Sequence, residues 1–127
     1  MKKILITGAN GFLGSNFVHS LSDRKNEINL FVRNKENIWR IGKLIPKCTI
    51  HNVNLTNREQ VRKKIKEIKP DFVYHFSTYG VDFRQKDVET MIQTNVIGSY
   101  NLIQALEDFG DIKKCINIGS SFEYEKR

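Results

Sequence analysis

Only two of the 127 residues are cysteine, and no apolar run approaches the ~20 residues that a membrane-spanning helix needs. Cys48 and Cys115 stand in no metal-ligand spacing. Both fall near the start of expected strands that lie at opposite sides of the sheet proposed below. At about 4.8 Å per strand they are beyond disulfide reach. Both are therefore expected to be reduced core or near-core thiols, in keeping with a cytosolic protein. The apolar run near the N-terminus, Ile4 to Ile6, is too short for a signal peptide, so a cytoplasmic location is expected. Repeats, low-complexity tracts and linkers are also missing, which leaves one domain over residues 1–127. With 39% hydrophobic and 28% charged residues, the composition is that of a soluble globular domain.

The net charge of +7 raises the question of nucleic-acid binding. The cations are scattered, however, and the densest run (Arg62, Lys63, Lys64, Lys66) falls on an expected surface helix. No aromatic-plus-basic platform accompanies it. A solvated face explains the run better than a nucleic-acid patch. No nucleic-acid or membrane partner is expected, though a basic surface suits dianionic cofactors and nucleotide-linked substrates.

Short apolar strands alternate with helical patterns. Strands are expected at Lys3–Thr7, Ile28–Val32, Cys48–Val53, Asp71–Phe76 and Lys114–Ile118. Phe12, Leu13, Phe17, Val18 and Leu21 have helical spacing. The polar stretch 34–47 has room for a short helix around Ile38 to Leu44. Thr56 and Glu59 form a capping-box pattern before Val61, Ile65 and Ile68, and Pro70 stops that helix. Tyr79 to Lys86 is an expected loop. Val88, Met91, Ile92, Val96, Ser99, Leu102, Ile103 and Leu106 then mark a long helix whose apolar stripe reads as core, ended by Gly110. Such alternation predicts a doubly wound parallel α/β sheet of Rossmann type, five strands in the order 3-2-1-4-5.

The chemistry concentrates at strand ends. Thr7-Gly8-Ala9-Asn10-Gly11-Phe12-Leu13-Gly14 links the first strand to the first helix. Gly8 permits the tight turn, Gly11 lets the backbone approach a pyrophosphate, and Gly14 allows close helix packing. Unpaired N–H groups and the positive end of the helix dipole then hold phosphate. Arg33 ends the second strand where an NAD-preferring site has an acid for the ribose hydroxyls. Its guanidinium suits the 2′-phosphate of NADP, so NADP is favoured over NAD.

The Gly-x-x-Gly-x-x-Gly spacing resembles the extended short-chain dehydrogenase/reductase family, the NAD-dependent epimerases and dehydratases. Four further segments strengthen the likeness: Asn54-Leu55-Thr56, His75-Phe76-Ser77-Thr78, Thr94-Asn95-Val96-Ile97-Gly98 with Asn101-Leu102, and Ile118-Gly119-Ser120-Ser121-Phe122-Glu123-Tyr124. The resemblance implies cofactor contacts from Gly8, Asn10, Gly11, Phe12, Leu13, Gly14, Arg33, Asn54, Leu55, Phe76, Ser77, Thr78 and Asn95. Asn54 replaces the usual aspartate against the adenine amino group, and its amide oxygen is expected to accept the same bond. Ser77 and Thr78 replace small alanines. Asn95 is expected to bond across to the fourth-strand backbone, and Gly98 to allow close packing. His75 is expected to be a hydrogen-bonded structural residue rather than a catalytic one. Ser120 is implied as the catalytic hydroxyl, with Ser121 as second choice. No metal is implied.

The family's acid/base pair, Tyr-x-x-x-Lys, is missing. Tyr74, Tyr79 and Tyr100 are followed four places on by Thr78, Phe83 and Gln104. The likeness thus covers the N-terminal part of a family member, with the Tyr/Lys segment and the sugar-binding part expected beyond residue 127, and the chain is expected to be inactive alone. Strand five is then expected to be an exposed apolar edge. The implied function is the cofactor-binding half of an NAD(P)-dependent epimerase, dehydratase or reductase acting on a nucleotide-linked sugar by hydride transfer. A homodimer through the 88–109 helix is implied as well. The alternative is a non-catalytic NAD(P)-binding sensor or regulatory module.

Overall fold

The computed structural model describes residues 1–21, 25–35, 37–120 and 124. Five strands form one parallel sheet in the order β3-β2-β1-β4-β5, the order expected. They are β1 (Lys2–Thr7), β2 (Asn26–Val32), β3 (Cys48–Asn52), β4 (Phe72–His75) and β5 (Lys114–Asn117). β1 is central, with Thr7 paired to both Phe31 and His75. Its side chains alternate between two cores. Leu5 joins the core that receives α2 (Arg58–Ile68) and α4 (Ser99–Phe109), while Ile4 and Ile6 join the core that receives α1 (Phe12–Leu21). Leu5 and Ile6 are fully buried, and such a side chain contributes about 1.5–3 kcal/mol by leaving water. Among the described residues, no helix is long and apolar enough to cross a membrane.

Local signals were displaced at the 38–44 stretch and at the start of α2. The 38–44 stretch is not an α-helix; a 3-10 helix covers Gly42–Lys47 instead. Its tighter turn suits Ile41 and Leu44, three apart and both buried. The cap of α2 is Asn57, one residue later than expected: its side chain accepts from the Gln60 N–H at 3.0 Å. Thr56 instead turns its N–H and hydroxyl onto Asn54. The later start still buries Val61, Ile65 and Ile68. Lys69 then takes a left-handed conformation, φ 53°, ahead of Pro70.

The long helix is continuous but not uniform. A short α3 (Val88–Ile92), capped by the Asp87 carboxylate, runs into a π-helical stretch, Gln93–Gly98, and then into α4. A wide apolar stripe offset by a π turn cannot stay on one face. Leu102 and Leu106 enter the core, whereas Val88, Ile92, Val96 and Ile103 are exposed. The expectation of a single core stripe is therefore corrected.

The cysteines do lie on opposite edge strands, β3 and β5, and both are free. Cys115, however, is exposed rather than near the core, because β5 pairs only with β4. The β5 edge is also less apolar than expected: Lys114, Cys115 and Asn117 are exposed and only Ile116 is half-buried. In the basic run on α2, Arg62 pairs with Asp108 at 3.2 Å and Lys64 with Glu67 at 2.5 Å.

Candidate functional site

A cleft of about 710 Å³ opens at the carboxyl end of the sheet. It lies where strand order reverses between β1 and β4, the place where open α/β sheets bind ligands. The volume is within the range of small-molecule sites.

The three loop glycines are not equivalent. Gly8 has φ +64°, and a Cβ there would sit 2.6 Å from the Ser77 backbone nitrogen. A Cβ on Gly14 would sit 2.2 Å from the Gly8 carbonyl oxygen. Both are required by the protein's own packing, Gly14 because α1 rises directly over the loop. Gly11 differs: the one contact of its Cβ within 4 Å would be the Gly8 carbonyl oxygen at 3.2 Å, and the residue lines the cleft. Its N–H closes the loop onto that same carbonyl at 3.0 Å. Asn10, Phe12 and Leu13 also line the cleft, and Phe12 and Leu13 are largely exposed there.

Beyond β2 and β3, Arg33, Asn54 and Leu55 line one end of the cleft. Arg33 is exposed. The oxygen of Asn54 is engaged by the Thr56 N–H at 3.1 Å and the Thr56 hydroxyl at 2.9 Å. Asn54 thus braces its own turn while lining the cleft.

Beyond β4, Phe76, Ser77 and Thr78 line the opposite end. Asn95 does not line the cleft. Its side chain accepts from the Tyr79 N–H and donates to the Tyr79 carbonyl, both at 2.8 Å. It thus holds the chain just past β4 by both groups of one residue. Gly98 packs closely, with a Cβ there 3.1 Å from that of Leu55.

His75 is buried beneath this wall. Its Nδ1 pairs with the Thr7 hydroxyl at 2.5 Å and its Nε2 with the Ser99 hydroxyl at 2.8 Å. The Ser77 N–H donates to the same Thr7 oxygen at 3.3 Å. Desolvation pushes the imidazole pKa down to about 4, so a neutral ring ties β1, β4 and α4 together. That is the structural role expected of it.

Ser120 lies three residues past β5, at the carboxyl edge of the sheet, but is not among the residues lining the cleft. Ser121 lies outside the described residues. Sequence reasoning missed Asn37, Val81, Gln85 and Thr94, which do line the cleft. Thr94 was within reach as the neighbour of Asn95. Asn37 is brought in by a tertiary bond, its carbonyl accepting from the Asn10 side chain at 3.1 Å. Gln85 comes from a loop it organises itself, its oxygen accepting from the Gly80 N–H at 3.0 Å. Neither carries a local signal.

In comparisons with known proteins, residues 4–127 match the profile of the NAD dependent epimerase/dehydratase family. The chain is 30% identical over 108 residues to a UDP-glucose 4-epimerase of Mycoplasma pneumoniae, covering 84% of this chain and 32% of that protein. It is 29% identical over 112 residues to a dTDP-glucose 4,6-dehydratase of Neisseria meningitidis serogroup B, covering 83% and 31%. The chain thus spans about a third of the length of these curated relatives. Among solved structures, Bordetella bronchiseptica WbmG in complex with NAD and UDP superposes with TM-score 0.79 at 25% identity, covering 91% of this chain and 37% of that one. The Thermus thermophilus UDP-glucose 4-epimerase complex with NAD gives 0.71 at 27% identity, covering 84% and 34%.

Proposed function

The chain belongs to the NAD dependent epimerase/dehydratase family, and on that premise we propose that it is the cofactor-binding half of an NAD(P)-dependent epimerase, dehydratase or reductase acting on a nucleotide-linked sugar. The observation that carries this is Gly11. Its neighbours in the motif answer to protein packing, but nothing in the fold comparably forbids a side chain at Gly11. A bare backbone at the start of α1, inside the cleft, suits a pyrophosphate that must come closer than a Cβ allows.

The remaining roles follow from position. The α1 N-terminus holds the phosphates. Arg33 takes the 2′-phosphate of NADP, its planar fork matching the anion. Phe76, Ser77 and Thr78 pass along the nicotinamide end, with Asn95 holding the backbone that follows them. Ser120 orients the reacting hydroxyl or carbonyl. Bound nicotinamide supplies hydride transfer. The exposed apolar face of the 88–109 helix, with Tyr100 also open, receives a second copy of the chain.

Titration of the chain with NADPH and NADH, followed by cofactor fluorescence and by Trp39, tests the reading. Saturable NADPH binding is expected, weakened by Gly11→Val and shifted toward NADH by Arg33→Asp. Absence of binding to either, in a chain whose circular dichroism shows it folded, overturns it.

A further inference from the structure

Residues 37–41 are tied to the loop between β1 and α1. Ile38 and Ile41 seat this strap on the core that receives α1. His19 of α1 donates from Nε2 to the Arg40 carbonyl at 2.9 Å. Two further bonds join the strap to Asn10, which lines the cleft. The Asn10 side chain donates to the Asn37 carbonyl at 3.1 Å, and Arg40 Nη1 donates to the Asn10 carbonyl at 3.3 Å. The Asn10 carbonyl and the Gly11 N–H belong to one planar trans peptide and point opposite ways. Arg40 holds one end of that peptide, and the Gly8 carbonyl, at 3.0 Å, holds the other. The guanidinium is itself stacked on the Trp39 ring, 4.5 Å from its centre.

Arg40 is exposed and does not line the cleft. Among the described residues no carboxylate pairs with it, whereas Arg62 and Arg84 are paired with Asp108 and Asp82. An exposed charged contact adds little to folding. Its charge stands uncompensated beside the backbone that leads into α1, whose first amides, from Phe12 on, have no partner within the helix.

We propose that Arg40 is a positioning residue for the dinucleotide pyrophosphate: acting through Asn10, it fixes the peptide that sets the phosphate loop and adds a positive charge behind it. The inference rests on the dinucleotide reading above. A full charge held one peptide away adds to the roughly half-unit charge of the helix end without touching the ligand. Because Arg40 is exposed, this contribution is screened by salt, over a Debye length of about 30 Å at 0.01 M and about 8 Å at 0.15 M. It is also blind to the ribose 2′ position, in contrast to the contact proposed for Arg33.

The test compares the unsubstituted chain with Arg40→Met, which keeps an aliphatic stem and removes the charge, and Arg40→Lys, which keeps the charge. Each is titrated with NADH and with NADPH, by cofactor fluorescence, at about 0.01 M and about 0.15 M salt. Arg40→Met is expected to weaken both cofactors by the same factor, roughly three- to tenfold at the lower salt and less at the higher. Arg40→Lys is expected to recover most of that loss. Arg40→Gln, a neutral donor, carries the expectation of Arg40→Met should that variant fail to fold. An unchanged dissociation constant in the neutral variant overturns the inference. So does a loss that is equal at both salts or equal in Arg40→Lys, which is what a purely structural bond gives. A loss confined to NADPH overturns it too, because it places Arg40 at the 2′-phosphate. All three results leave the cofactor reading intact, whereas binding of neither cofactor to the folded, unsubstituted chain removes that reading and this inference with it.

Discussion

Substituting alanine at Gly11 and at Gly14 separates what the ligand demands from what the fold demands. At Gly14 the new methyl would sit 2.2 Å from the Gly8 carbonyl oxygen and 2.9 Å from its carbon. Both obstacles are backbone, so α1 or the loop must move. Overpacking of this kind costs about 1–3 kcal/mol. At a few degrees per kcal/mol for a domain of this size, Gly14→Ala is expected to lower the melting temperature by roughly 3–12 °C. At Gly11 the methyl meets only one oxygen, at 3.2 Å, and φ is not positive. Alanine there restricts the unfolded chain, a gain of about 0.4–1 kcal/mol that offsets the tight contact. The stability of Gly11→Ala is thus expected within about 1 kcal/mol of the unsubstituted protein. Its dinucleotide affinity is expected to fall at least about tenfold, because the methyl occupies the place of a phosphate oxygen. Thermal melts with and without NADPH measure both quantities on each protein. Undiminished NADPH binding by Gly11→Ala would refute the argument that this glycine is kept bare for a ligand.

His75 makes stability depend on pH. Folding holds its ring neutral down to about pH 4, whereas the unfolded chain takes up the proton near 6.5. The unfolded state binds more protons below 6.5, so the contribution is complete above 6.5 and is lost as pH falls toward 4, by up to about 3 kcal/mol. Urea midpoints should fall over that interval in the unsubstituted chain and fall less steeply in His75→Asn; equal slopes would exclude His75 as the source. His51 also titrates below its usual range, mainly through desolvation, so the difference between the two slopes is the quantity that isolates His75. For the helix face, Ile92→Asp combined with Val96→Asp is expected to convert a dimer to a monomer in light scattering while leaving circular dichroism unchanged. A monomeric unsubstituted chain at high micromolar concentration would sink that assembly.

Legibility in the sequence followed the range of the signal. The strand order and the glycine loop were readable because each rests on a short pattern: alternation of elements for the first, three glycines between a strand and a helix for the second. The Thr56/Glu59 box failed because Asn57 and Gln60 offer the same spacing one residue later, and Asn54 had already taken Thr56 as its partner. Asn37 and Gln85 could not be found at all, since each reaches the cleft through a fold-back that leaves no periodic trace.

The 88–109 helix shows how one element can shape a cleft that it barely lines. Asn95 grips Tyr79 past β4, Ser99 meets the buried His75, and Asn101 donates to the Leu55 carbonyl past β3 at 2.9 Å. In a regular α-helix, positions 95, 99 and 101 do not share one face. The π-helical turn at Gln93–Gly98 changes the phase between the first of these and the other two. That allows Asn95 to hold the Tyr79 backbone past β4 while Asn101 holds the Leu55 carbonyl past β3. The same offset turns Val88, Ile92 and Val96 outward. The exposed apolar face and the polar clamp are thus two consequences of one inserted turn, and a heptad or 3.6-residue count along this sequence separates neither from the core.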